Sequence, residues 1–415
     1  MKHIYLDYAA TTPIDKKVLD SMIPFLEQEG NFGNSGSLHS FGQKAMAAID
    51  DARIALAKTI TANRREIIFT SGATEANNLI IRGVLKSFFK NQKNSSSGSQ
   101  GCAIIPRIII SAIEHPSVIE TVRALEKEGA IDAVYLPVNG AGVVDLKALE
   151  KNLDDKTILV SVMWVNNETG VIQPITEISK IIANFREELR IKNNESGENS
   201  KLKIQNSIYP LFHTDAVQAF NCFDLNVIKS GVDLMTLSSH KIYGPKGIGA
   251  SYIKNGVESV IEPVATGGDQ EYGLRSGTEN VPAIVGFASA AGMTHGVYKT
   301  ESERLKKLSE RFFEKIKNKF SDVEINGSID NRSPHIINLY FPGHKNLGMA
   351  LDMAGIAASA GSACAQRYEK PSHVLFAMAM DDTRIKGSIR FSFGRFTTPK
   401  DVDDAIERII IVLNK

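Results

Sequence analysis

The chain has 415 residues, 43% of them hydrophobic, with 48 Lys and Arg against 47 Asp and Glu for a formal charge of +1. That is enough apolar material for a large core and more than one domain, and the balanced charge argues against a nucleic-acid partner or a charged membrane surface. Three widely spaced cysteines, Cys102, Cys222 and Cys364, exclude a disulfide framework and a Cys-only zinc site, leave no metal site expected, and suit a reducing cytoplasm.

The N-terminus meets Asp7 before a signal-peptide core could form, and no apolar run is long enough to span a bilayer. Tyr5 to Pro13 reads as a short strand ending in small residues, which either bring the backbone close to a ligand or simply turn. Asn31 to His39 is a Gly/Ser/Asn loop. A helix follows, with Ala45, Ala48, Ile49, Ala52, Leu56 and Ile60 on one face.

Glu66 to Thr70 is a strand, and Ser71-Gly72-Ala73-Thr74 turns it into a helix through Leu79, Ile80 and Val84. Exposed N–H groups and a hydroxyl at a helix start suit a phosphate, although such junctions are common. The Ser-rich stretch 90–101 reads as an exposed polar loop insertion. Arg107 to Ser111 is a buried strand that delivers Glu114-His115, and Pro116 starts a helix. A lone histidine is more often structural than functional; at the carboxyl end of a parallel strand this one is better placed than most.

Ala133 to Leu136 and Thr157 to Val162 are further strands. The second runs into Asn166-Asn167-Glu168, polar groups that either build a turn or bind a ligand. Ile175 to Leu189 is a helix, and 190–207 a second polar insertion. Leu211 to Gln218 ends a strand at Asp215, a buried carboxylate that needs a cation, either an arginine or a protonated ring nitrogen. Cys222 reads as a small core residue.

Val232 to Leu237 is a buried strand leading into Ser238-Ser239-His240-Lys241, and a Gly-Pro-Lys-Gly turn leaves it. Lys241 is either one of two lysines on a surface turn or an amine held at the end of a buried strand. Burial would favour its neutral form, the form that makes a Schiff base. Alternation of strand and helix to about residue 260 predicts a mostly parallel sheet covered on both faces. Thr74, His115, Asn167, Asp215 and Lys241 all follow strand carboxyl ends, the edge where such sheets bind ligands.

An irregular loop carries Gly267-Gly268 and Arg275 to Asn280, and helices follow to about Phe320. From about residue 298 the order changes to helix, strand (Ile336 to Tyr340), helix (Leu347 to Leu351) and strand, as in a smaller α+β domain. Cys364 sits in a small-residue stretch, Ala357 to Tyr368, with no apolar period, so it is either a nucleophile or an inert thiol. Gly387 to Arg395 alternates like a strand, with Ile389, Phe391 and Phe393 on one face and Arg390 on the other, where a guanidinium could hold a carboxylate.

Together these stretches resemble the cysteine desulfurases of the fold-type I, class-V aminotransferase group, in particular those with the longer cysteine loop. The resemblance covers nearly the whole chain. It rests on Tyr5 to Pro13, Thr70 to Asn78, Glu114-His115, Val165 to Gly170, Asp215 to Gln218, Ser238 to Gly247, Arg275 to Thr278, Ser359 to Cys364 and Ser388 to Arg395. It implies an α/β fold: a large domain, 14–297, with a mostly parallel seven-stranded sheet, and a smaller α+β domain from 1–13 and 298–415. It implies pyridoxal 5'-phosphate (PLP) on Lys241, Asp215 at the pyridine nitrogen, and Asn167 and Gln218 at the phenolic oxygen. His115 would stack on the ring and shuttle protons. Ala73, Thr74, Ser238 and His240 would hold the phosphate, with Thr278 reaching it from the partner subunit of a homodimer. Arg390, with Asn34, would bind the substrate.

The implied reaction takes sulfur from L-cysteine, leaves L-alanine, and stores the sulfur as a persulfide on Cys364, the nucleophile. The acceptor would be an iron–sulfur scaffold or a sulfurtransferase, and Cys364 would transiently ligate a cluster. The sequence departs from the group's pattern at Gly33 to Ser37, where Asn-Pro is usual, at Ala365-Gln366-Arg367 after the cysteine, and in its two polar insertions. It stops at Lys415, so the tail that docks a scaffold protein is expected to be missing. Two rivals stay open: another class-V enzyme such as a selenocysteine lyase or aminotransferase, and a non-catalytic binding protein on the same fold.

Overall fold

The computed structural model describes residues 3–95, 104–195, 208–345, 347–360 and 371–414. Twelve strands are seen among them: β1 (Ile4–Tyr5), β2 (Ile67–Thr70), β3 (Arg107–Ser111), β4 (Asp132–Leu136), β5 (Thr157–Ser161), β6 (Leu211–Asp215), β7 (Leu234–Ser238), β8 (Gly249–Ile253), β9 (Glu324–Ile325), β10 (Ile336–Tyr340), β11 (Ile356–Ala357) and β12 (Ser388–Ser392). Seven of these form one sheet in the order β2-β8-β7-β6-β5-β3-β4. All its pairings are parallel except those of β8, which is antiparallel to both neighbours. Two antiparallel steps restore the direction, so β2 ends on the same edge as β3, β5, β6 and β7.

The central strands are apolar on both faces, as a doubly covered parallel sheet requires. In β3, Ile109 packs into one layer while Ile108 and Ile110 pack into the other. The helix Ser40–Thr59 buries Ala45, Ile49, Ala52 and Leu56 in the first layer, the face its 3.6-residue spacing predicts. The helix Ala73–Ser95 buries Leu79, Ile80 and Val84 in the second.

Both expected insertions begin as helix. Ala73–Ser95 runs past residue 90, and Ile175–Glu195 runs past residue 190. Lys, Gln and Glu are good helix formers without an apolar face, so a helix that is already nucleated continues through them. The rest of both insertions lies outside the described residues.

A second sheet, β12-β10-β9, and the β1-β11 pair build a separate core with Leu305, Phe312, Ile337, Phe391 and Ile406. The N-terminal strand therefore packs with the C-terminal part of the chain. One helix, Val281–Lys319, serves both cores. Its first half, through Ala291, packs on the large sheet's layer, and Leu305 to Ile316 pack in the second core. The expected boundary at 297–298 falls inside this unbroken helix, where its buried face changes cores. No helix among the described residues is long and apolar enough to cross a membrane.

One buried ion pair pins the irregular loop. Arg53 donates from Nη1 and Nη2 to the Glu271 carboxylate at 2.7 and 2.6 Å, and Phe69 N–H donates to Glu271 Oε2 at 2.8 Å. Glu271 and Tyr272 both adopt positive φ, 51° and 58°, so the loop is held in a conformation that L residues resist. Glu271→Ala leaves the Arg53 charge buried alone and should destabilise the fold by about 3–5 kcal/mol in denaturant titrations. The double change Arg53→Leu with Glu271→Leu should cost less than the single one.

Candidate active site

The shared strand edge opens on a cavity of about 480 Å³. Ala73, Thr74, His115, Asn167, Asp215, Gln218, Ser238, His240, Lys241 and Arg390 all line it, together with Ala9, Ala10, Met163 and Ile248. These residues come from the ends of β2, β3, β5, β6 and β7 and from β12 of the second core. They span much of the sequence, and strand parallelism is what brings them together.

Lys241 stands one turn beyond β7, in the 3₁₀ turn Ser239–Lys241. Its Nζ donates to the carbonyls of Ala9 and Ala10 at 2.6 and 2.5 Å. The small residues of the N-terminal stretch thus let main-chain oxygens reach the amine, a role the sequence reading assigned only to an unspecified ligand. The same stretch is tied down by Thr12, whose N–H and hydroxyl both donate to the His240 carbonyl at 3.0 and 2.9 Å. Burial, and then the charge of Lys241, push His240 down to about 4, so its imidazole is neutral at physiological pH.

Asp215 ends β6 and is buried. Its Oδ1 accepts from Val217 N–H at 3.1 Å and its Oδ2 from Asn77 Nδ2 at 3.0 Å. Gln218 is clamped at both ends of its amide. Nε2 donates to the Ala9 carbonyl at 2.9 Å, and Oε1 lies 3.3 Å from Nε2 of the buried His335. Arg390, 1% exposed, donates from Nη2 to Asp7 at 2.7 Å and from Nη1 to the Asn167 carbonyl at 2.8 Å. Its main chain pairs with Ser359 in both directions. Cys222 is buried beside His335, and burial pushes its thiol up to about 12, which makes it inert, as its core position implies.

Asn34 stands apart from the other expected residues. It is exposed and does not line this chain's cavity. Its carboxamide instead closes a turn, accepting from Gly36 N–H at 2.9 Å, a use to which asparagine in Gly/Ser loops is well suited. Thr278 is exposed and also stands apart from this cavity. Cys364 lies outside the described residues.

Three supporting residues were given no role by the sequence: Asn77, His335 and Glu114. Glu114 is fully buried directly before His115. Its Oε1 accepts from the Ser111 hydroxyl at 2.5 Å and from Met163 N–H at 2.7 Å, while Oε2 has no partner. Burial raises its pKa from 4.5 to about 8. An acid whose folded pKa is raised stabilises the fold below its unfolded pKa, and that contribution disappears as pH rises through the folded value. The melting temperature should therefore carry a Glu114-dependent decline between about pH 4.5 and 8. Glu114→Gln should remove that part of the pH dependence, read as the difference between the two melting curves; parallel curves would contradict it.

The donor set fits PLP. One end of the cavity is the start of the long helix Ala73–Ser95, where the first N–H groups have no carbonyl a turn earlier to bond, with Thr74 and Ser238, a phosphate site by chemistry. Gly72 makes that turn at φ 150°. It approaches β8 so closely that a Cβ on Gly249 would meet Gly72 backbone at 2.8 Å. Asp215, on a different strand end, supplies the acid for a ring nitrogen. Lys241 supplies the amine, and Ala9, Met163, Val217 and Ile248 supply apolar wall.

The family model described as Aminotransferase class-V matches residues 4–188 and 201–404. The cysteine desulfurase IscS of Rickettsia bellii (strain OSU 85-389) is 40% identical over 99% of this chain and 91% of its own length. That of Dictyoglomus turgidum is 41% identical over 99% of this chain and 95% of its own. A solved structure titled NifS-like protein superposes with a TM-score of 0.84 at 34% identity, covering 99% of both chains. With a strand-edge cavity whose lining residues suit PLP and likeness over essentially its full length, the chain belongs to the class-V aminotransferase family, among the cysteine desulfurases.

Proposed function

We propose that this protein takes sulfur from L-cysteine, releases L-alanine, and carries the sulfur as a persulfide on Cys364 to an acceptor protein. The observation that supports it best is the convergence of Lys241, Asp215, His115, Asn167, Gln218 and Arg390 on one cavity. When bound, PLP supplies an electron sink for the charge left at the substrate Cα. Lys241 holds it through its amine and takes the Cα proton; the Ala9 and Ala10 carbonyls fix where that nitrogen waits. Asp215 would keep the ring nitrogen protonated, and Asn167 and Gln218 would meet the phenolic oxygen. Ala73, Thr74, Ser238 and His240 grip the phosphate, and His115 covers the ring.

Arg390 binds the substrate carboxylate in place of Asp7, to which one arm of its fork is now bonded. The Cys364 thiolate attacks the substrate sulfur. An S–S bond forms as the C–S bond breaks, and the carbon fragment takes protons to become alanine.

On the same reading residues 14–297 bind the cofactor, and 1–13 with 298–415 form the smaller unit. The enzyme is a homodimer in which Thr278 reaches the partner's phosphate, in keeping with its exposure here. It works in the cytoplasm, where thiols stay reduced, and its acceptor is an iron–sulfur scaffold or a sulfurtransferase. The test is alanine formation from L-cysteine. The native chain should make alanine and Cys364→Ala should not; alanine formation that survives the substitution would contradict the reading.

A further inference from the structure

Behind the cavity, Asp215, Asn77, Ser117 and His115 form a continuous hydrogen-bonded row. Asn77 is fully buried, and its Nδ2 donates to both Asp215 Oδ2, at 3.0 Å, and Ser117 Oγ, at 2.8 Å. Its Oδ1 has no partner. Reversing the amide would set that oxygen against the Asp215 carboxylate, so the charge on Asp215 dictates which way Asn77 faces. Ser117 Oγ, accepting from Asn77, lies 2.8 Å from His115 Nδ1 and has its own proton to give there. Ser117 N–H donates to the same nitrogen at 3.1 Å, because His115 caps the helix Pro116–Lys127. Two donors meet Nδ1, which is therefore bare, and the proton of the neutral ring sits on Nε2.

We propose that Asn77 and Ser117 are positioning residues that fix His115 as its Nε2–H tautomer, so that His115 offers the cavity a hydrogen-bond donor and not a base. The proton shuttle expected of His115 would need a bare Nε2, and that would put a proton on Nδ1 facing Ser117 N–H. Proton removal then belongs to Lys241. Burial and the neighbouring Lys241 and His373 disfavour the imidazolium, while Asp215 pulls the other way. The inference rests on the proposed PLP site.

The experiment is nitrogen–proton correlation NMR on histidine-labelled holoenzyme, with the His115 signals identified by their loss in His115→Gln. The native holoenzyme should show a bare Nδ1 and a protonated Nε2 held as one tautomer. In Asn77→Leu the Ser117 hydroxyl is free to turn and accept, so the two nitrogen resonances should shift toward each other. A protonated Nδ1 in the native enzyme, or an unchanged His115 spectrum in Asn77→Leu, would overturn the proposal while leaving alanine formation intact. A chain that neither holds PLP nor forms alanine would defeat the reading beneath it and the proposal with it.

Discussion

Lys241→Ala is expected to reduce alanine formation from L-cysteine by on the order of 10⁴-fold, since on the proposed reading it removes both the covalent anchor and the base. The Lys241 amine donates to the carbonyl oxygens of Ala9 and Ala10, which cannot accept a Cα proton at neutral pH. The variant should fold, because the turn that carries residue 241 is held by main-chain bonds, Ile242 N–H to Ser239 and Gly244 N–H to Ser239. The readouts are alanine formation and the visible absorption of the cofactor bound through the amine, with circular dichroism as the check on folding. Native-like turnover in a folded Lys241→Ala protein would remove Lys241 from the chemistry.

Asp215→Asn should lower kcat by about 10²–10³-fold while the cofactor remains bound. Both oxygens of Asp215 accept from N–H groups, one on Val217 and one on Asn77. An amide at this position has one accepting and one donating end. Turned toward Val217, its NH₂ meets another donor, at a cost of about 1–3 kcal/mol; turned toward Asn77, it forces that amide to reverse. More consequential is the lost negative charge, without which a ring nitrogen in this cavity has no acid to hold its proton. The loss should fall on kcat more than on KM, because charge at Cα builds up only as the reaction proceeds. A rise in KM with kcat unchanged would assign Asp215 to substrate binding instead.

Much of this site can be read from the sequence because its parts follow one rule. Thr74, His115, Asn167, Asp215 and Lys241 each come just after an apolar run, and a parallel sheet gathers strand ends on one edge. What the sequence hides is what those residues lean on. Asn77 sits within an ordinary helix start, and only the approach of β6 to that helix reveals that it faces Asp215. His335 is far along the chain from Gln218 and meets it through packing between the two cores. The carbonyls of Ala9 and Ala10 belong to every peptide, so nothing in the residue types marks them. Asn34 shows a use the residue types do not reveal: its carboxamide oxygen closes the turn at Gly36. Polar composition also misled at 90–95 and 190–195, where helices already under way simply continue.

Everything above converges on a sulfur atom leaving the substrate for one thiol of the protein. The most direct test is mass spectrometry of the Cys364 peptide after brief incubation of the holoenzyme with L-cysteine and no acceptor. Cys364 should gain the mass of one sulfur atom, and Cys222, buried beside His335, should gain none. Alanine released while Cys364 stays unmodified, or the added sulfur found on another residue, would contradict the account.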